Sequence, residues 1–198
     1  NKDPDSSKYA PIKNLLRPGH ATFTYLEKYG IFDYRGGGRA SARETAARVA
    51  AGAIAKKFLA LNGIEVTAFL KQIGPVSCTY EGDNNELRTH TLASPLFCPD
   101  PTTTKAMMHL LDEAIAEGNS LGGIVEFRIV GAPAGLGQPL YQKLEATLAH
   151  AMMGLPATKG FEIGEGFSSV QMKGSEHNDG FIVENETIQT ASNHAGGI

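Results

Sequence analysis

The sequence predicts an α+β fold, a sandwich with helices buried between sheets, and three observations carry that reading. An alanine-rich stretch over 42–61 has small or apolar residues on nearly all sides, as expected of a helix enclosed by other elements. The runs at 63–70 and 124–130 are rich in β-branched and aromatic residues next to glycine breakers, the pattern of strands. Finally, a strand, a glycine loop, a helix and a Gly-apolar-Glu strand occur twice, roughly over 20–74 and 124–173. A pseudo-duplicated β-α-β sandwich within a single domain over 1–198 is the simplest architecture with these parts.

The elements follow in order. Residues 21–25 read as the first strand and Arg35-Gly36-Gly37-Gly38-Arg39 as the loop after it. Ser41 and Glu44 have the spacing of a capping box at the start of the 42–61 helix, and Asn62-Gly63 supplies its stop. Residues 81–104, polar and broken by Pro95, Pro99 and Pro101, read as a long connection. A helix over 105–117 carries Met107, Leu110, Leu111, Ala114 and Ile115 on one stripe and ends at Gly118. The strand at 124–130 leads through a Gly/Pro loop to a helix over 140–154, with Pro139 suited to its first turn. Lys159-Gly160-Phe161-Glu162-Ile163 reads as the closing strand, and a flexible glycine-rich segment is expected after Phe167.

Composition narrows the function. With 18 basic and 21 acidic side chains the chain is slightly acidic, which argues against a general nucleic-acid or membrane-surface binder. No apolar run approaches the ~20 residues that span a bilayer. Cys78 and Cys98 have no metal-ligand spacing and read as reduced thiols of a cytoplasmic protein. The first residues, Asn1-Lys2-Asp3-Pro4, and the last, Gly196-Gly197-Ile198, suggest an internal portion of a longer protein.

Two segments could carry chemistry. Arg17-Pro18-Gly19-His20 sets a histidine on a shaped turn with an arginine close before it; an acid–base site and an ordinary surface turn both fit this spacing. In Tyr34-Arg35-Gly36-Gly37-Gly38-Arg39-Ala40-Ser41-Ala42-Arg43-Glu44, glycines let a ligand approach the backbone and the helix start presents amides and arginines to an anion. A capped helix with solvated arginines fits as well. The Gly-Lys-Ser/Thr ending of a nucleotide-binding loop is absent. The set Ser175, Glu176, His177, Asn178 and Asp179, with Ser192, Asn193 and His194, could form a mobile lid or simply a polar loop. His90, His109 and His150 read as structural.

Taken together, these two segments resemble the chorismate synthase family. Phe97-Cys98-Pro99-Asp100-Pro101, Pro133-Ala134-Gly135-Leu136-Gly137, Leu148-Ala149-His150-Ala151-Met152-Met153, Lys159-Gly160-Phe161-Glu162-Ile163-Gly164 and Ser192-Asn193-His194-Ala195-Gly196-Gly197-Ile198 extend the resemblance collinearly along the chain. It implies the family's sandwich fold and an anti 1,4-elimination of phosphate from 5-enolpyruvylshikimate 3-phosphate to chorismate. Reduced FMN is implied as cofactor with no net redox change, and NADPH only as a reductant of the flavin. By the same resemblance His20 is the catalytic acid–base residue, and Arg17 and Arg43 contact the substrate. Arg39, Ala40 and Ser41, with Pro156 and Ala157, match flavin-contacting segments. A homotetramer is implied, with no metal, nucleic acid or membrane partner. The sequence departs from the family at Thr22, where an acidic residue is common, and at Ala40, where a serine is common. The family's Gly-Glu-Ser-His-Gly region and its C-terminal flavin-contacting parts do not occur in these residues, so little turnover is expected of them alone. The alternative is a fragment or paralogue that keeps the scaffold and binds flavin or an anion without turnover.

Overall fold

A computed structural model describes residues 5–184 and 186–197. The elements are α1 (Thr22–Tyr29), α2 (Thr45–Leu61), β1 (Glu65–Ile73), β2 (Val76–Ser77), α3 (Asn84–Ala93), α4 (Pro101–Ala116), β3 (Gly123–Val130), α5 (Leu144–Met153), α6 (Gly174–His177), β4 (Phe181–Glu184) and β5 (Thr187–Thr190). Helices and small antiparallel sheets together bear out the α+β class. The chain divides into two compact units. One, the mid-chain unit, covers 51–134; the other, the split unit, combines the chain through residue 50 with the chain from residue 135 on.

The mid-chain unit is built on the antiparallel order β2-β1-β3. β1 and β3 pair from Glu65 opposite Val130 to Ile73 opposite Gly123, with an irregularity between Leu70 and Gln72. Thr67, Phe69 and Ile73 of β1 are buried, and Ile73 joins Cys78, Cys98 and Met107 in the core. Leu70, Val76, Tyr80, Leu96, Leu110 and Leu111 pack around that cluster. Both cysteines are free and buried, and burial, reinforced by Cys98, pushes the Cys78 thiol up to about 11. Part of the expected 81–104 connection is α3, whose cap Asp83 accepts from the Asn85 and Glu86 amides at 2.7 and 2.9 Å. The Asp83-to-Glu86 spacing is the overlooked start signal. α4 begins earlier than expected because Asp100 accepts from the Thr103 amide and Pro101 occupies the first turn. Of its expected stripe, Met107 and Ala114 are buried while Ile115 is 72% exposed.

The split unit holds most of the corrections. Residues 21–25 are not a strand: α1 starts at Thr22, and Gly30, at φ +71, closes it by donating its amide to the Leu26 carbonyl. The strand-like Thr22-Phe23-Thr24-Tyr25 run has no ladder partner among the described residues, whereas the helix satisfies its own backbone. Likewise 159–163 is irregular; just beyond it the Glu165 amide donates to the His194 carbonyl. The two expected copies therefore do not share one order of elements. α5 starts at Leu144 instead of 140, since Leu140 lies at positive φ and Gln138 bridges to Gln142. The segment after Phe167 through Gly180, expected to be flexible, contains part of a 3-10 turn and α6, and the hairpin β4–β5 follows it.

α2 crosses from the split to the mid-chain unit. Its end and its stop at Asn62-Gly63 are as expected, with the Asn62 side chain donating to the Phe58 carbonyl, while its start falls at Thr45 instead of 42. Within the described residues the helix is not enclosed: Val49 and Ile54 are each 73% exposed and Leu61 is 86% exposed. An all-round apolar composition expresses a tendency to be buried, but it names no element to do the burying.

Candidate functional site

The site residues predicted near the start of the chain gather in the split unit. At Arg17-Pro18-Gly19-His20 the His20 amide donates to the Arg17 carbonyl at 3.2 Å, and Gly19 takes φ +71 to close the turn. That turn delivers the His20 ring half-buried, with Nδ1 buried and unpartnered among the described residues. Arg17 itself stays exposed.

The glycine loop is folded by Asp33. Its carboxylate accepts from the Arg35 amide at 2.9 Å, and its carbonyl accepts from the Gly37 amide at 2.9 Å. Gly36, Gly37 and Gly38 all lie at positive φ, a geometry that side chains resist. Space is short there too. A Cβ on Gly37 would stand 2.8 Å from His20 Cε1 and 3.0 Å from Nε2. One on Gly36 would stand 3.1 Å from the Arg43 guanidinium and 3.6 Å from the Tyr9 hydroxyl. Ser41 Cβ is 3.5 Å from the same point beside Gly37. The loop thus brings His20, Ser41, Arg43 and Tyr9 together.

Ser41 shapes the helix entry differently from a capping box. Its hydroxyl donates to the Gly38 carbonyl at 2.8 Å and accepts from the Arg43 amide at 3.4 Å. Glu44 turns instead to Arg48, at 3.2 Å. A short 3-10 turn, Ala42–Glu44, consequently precedes α2. Arg35 pairs with Asp33, whereas Arg17, Arg39 and Arg43 form no ion pair among the described residues. Arg39 is exposed and Ala40 half-buried.

Pro156 and Ala157 lie on the exposed turn after α5. Ala157 adopts φ +68, a left-handed conformation uncommon for alanine and often found at functional positions. Arg48 reaches toward this turn, with Nη1 3.5 Å from where a Gly154 Cβ would lie. Sequence reasoning missed Tyr9, Asp33 and Arg48. The Asp33-Tyr34-Arg35 turn was open to an Asx-turn reading, whereas Tyr9 has no local signal.

A second polar cluster gathers the later motif. Asp179 accepts from the Ser192 hydroxyl at 2.6 Å and from the His194 and Ala195 amides at 2.8 and 2.9 Å. The Ser192 hydroxyl and these amides hold its carboxyl down at about 2. The imidazole of His194 stands 3.7 Å from that carboxylate and 6.1 Å, ring to ring, from His177. Elsewhere, His90 meets the Tyr80 hydroxyl at 3.2 Å and the exposed His109 stands 3.4 Å from Glu113. An apolar cavity of about 350 Å³ in the mid-chain unit, beside Pro95, Cys98 and Met108, contains none of the predicted site residues. Among the described residues no group of His, Cys, Asp and Glu could hold a metal, and no helix is long and apolar enough to cross a membrane.

Comparison with known proteins places this arrangement in a family. The chorismate synthase family model matches residues 1–198. The chain is 55% identical to the chorismate synthase of Protochlamydia amoebophila, with all of this chain and 55% of that protein aligned. It is 49% identical to the chorismate synthase of Archaeoglobus fulgidus, again over all of this chain and 55% of the relative. A crystal structure of a chorismate synthase superposes with a TM-score of 0.82 at 33% identity, covering 90% of this chain and 57% of that one. The chain spans about half the length of these relatives. With the family model matched from end to end and the fold shared, the chain belongs to the chorismate synthase family.

Proposed function

We propose that the protein carrying this chain catalyses the anti 1,4-elimination of phosphate from 5-enolpyruvylshikimate 3-phosphate, giving chorismate, with reduced FMN and no net redox change. The observation that carries the reading is the juxtaposition of the buried His20 Nδ1, unpartnered among the described residues, with the glycine loop and Arg43 within one unit of a family member. Three arginines free of ion pairs among the described residues suit a substrate bearing phosphate and carboxylates.

The residues fit a flavin on two counts. Nδ1 of His20, without a partner among the described residues, needs a polar one, and the left-handed backbone at Ala157 is the kind of outlier that gathers at ligand sites. When bound, reduced FMN supplies electron density to the breaking C–O bond and takes it back as the hydrogen leaves. Arg39, Ala40, Ser41, Pro156 and Ala157 would hold the cofactor, and Arg17 and Arg43 would orient the substrate's anionic groups. His20 would hold or release a proton at its imidazole. NADPH enters only as a reductant of the flavin. The protein would work in the cytoplasm as a homotetramer.

An anaerobic assay of the full-length protein with reduced FMN and the enolpyruvyl ester tests the reading. Phosphate release is expected, and His20→Ala should slow it by about 10²- to 10⁴-fold with folding intact. No release by the parent protein would sink the assignment, and flavin binding without release would point to the non-catalytic scaffold. Unchanged turnover in the variant would remove His20 from the mechanism.

A further inference from the structure

The geometry points to Gly37 as the residue that positions the His20 imidazole, an inference that rests on the catalytic reading of His20. Glycine loops near anion sites commonly keep side chains out of a ligand's way. Here the space beside two of the glycines is filled from within the protein. His20 Cε1 lies 2.8 Å from where a Gly37 Cβ would stand, closer than side chains tolerate, and Nε2 lies 3.0 Å away, a tight contact. At the neighbouring Gly36 a Cβ would meet the Arg43 guanidinium less closely, at 3.1 Å. The ring therefore lies against the bare Cα of Gly37, with Nδ1 buried and unpartnered among the described residues.

A methyl group at 37 has little room except by moving the ring, because the opposing atoms are the tip of a side chain and the loop backbone is tied to Asp33 by the Gly37 amide. Displacement of a catalytic group by about 1 Å can cost about a hundredfold in rate. Backbone strain from φ +85 at Gly37 is a separate effect. Gly30 separates the two: it sits at φ +71 with nothing within 4 Å of its Cβ position, so Gly30→Ala carries comparable strain without touching His20.

The test compares Gly37→Ala and Gly30→Ala in the full-length protein labelled at histidine. The His20 Cε1–H resonance, assigned by its loss in His20→Ala, is expected to move in Gly37→Ala and stay in Gly30→Ala. kcat should fall up to about a hundredfold in Gly37→Ala with KM little changed. A moved resonance with unchanged kcat would uphold the packing and overturn the catalytic reading of His20. An unmoved resonance would overturn the positioning role whatever turnover does. Should Gly37→Ala fail to fold, the parent protein still decides: a nuclear Overhauser contact between His20 Hε1 and Gly37 Hα is expected, and its absence would refute the proposal.

Discussion

The two units of this chain are held together by different physics. Of the described residues that are buried, all but Thr22 belong to the mid-chain unit, where Phe69, Leu87, Cys98 and Met107 are at most 2% exposed. The split unit carries the predicted site and relies on polar fastening: Asp33 folds the glycine loop, Ser41 the helix entry, and Asp179 ties Ser192, His194 and Ala195 together. Chemistry-bearing groups stand where hydrogen bonds, more than apolar packing, set the geometry. Such bonds position a side chain closely at modest net stability, whereas apolar burial contributes much stability with little direction.

The sharpest way to break this contrast is in the apolar core. Met107→Ala should destabilise the mid-chain unit by about 2–5 kcal/mol, seen as a lower urea midpoint. A cost under about 1 kcal/mol would mean that its cluster is not the stabilising core. A smaller, pH-dependent effect is expected in the split unit. Asp179→Asn should lower the melting temperature by several degrees at neutral pH through loss of the charged acceptor for two amides and a hydroxyl. Because the Asp179 carboxyl is held at about 2, below its ordinary 3.8, its contribution is present above that ordinary value and lost as pH falls through the lowered one. Melting curves from pH 6 down to about 2 should therefore show parent and variant converging. A constant gap would argue that the carboxylate's charge is not what fastens the segment. The smallest effect concerns strain. Ala157→Gly should raise stability by about 0.5–1 kcal/mol, the left-handed cost relieved less the entropy glycine adds to the unfolded chain. A loss of stability there would show that Ala157 makes packing contacts that outweigh its strain.

Much of the scaffold was legible because its signals are local. β1 and β3 follow glycine breakers with β-branched runs, and α2 ends where Asn62-Gly63 says it should. Errors fell where local preference competes with distant partners. Thr22-Phe23-Thr24-Tyr25 favours a strand in isolation, yet its backbone bonds close within a helix. The 159–163 run has strand composition, but the chain just after it hydrogen-bonds to His194. Within the site, the residue types at His20, Arg39, Ser41 and Arg43 were readable, while the crowding of Gly36 and Gly37 by Arg43, Tyr9 and His20 was not.

By itself the sequence determined the α+β class, the principal helix and two strands, and the collinear motifs of a family, since caps, breakers and periodicity act over a few residues. Only the tertiary structure decided that the glycine loop is lined by the protein's own imidazole and guanidinium, that Asp179 fastens a segment 13–16 residues away, and that burial among the described residues falls almost wholly in one unit. Those facts depend on which distant groups meet in space, and chain entropy, burial and hydrogen-bond satisfaction settle that only when the whole fold is assembled.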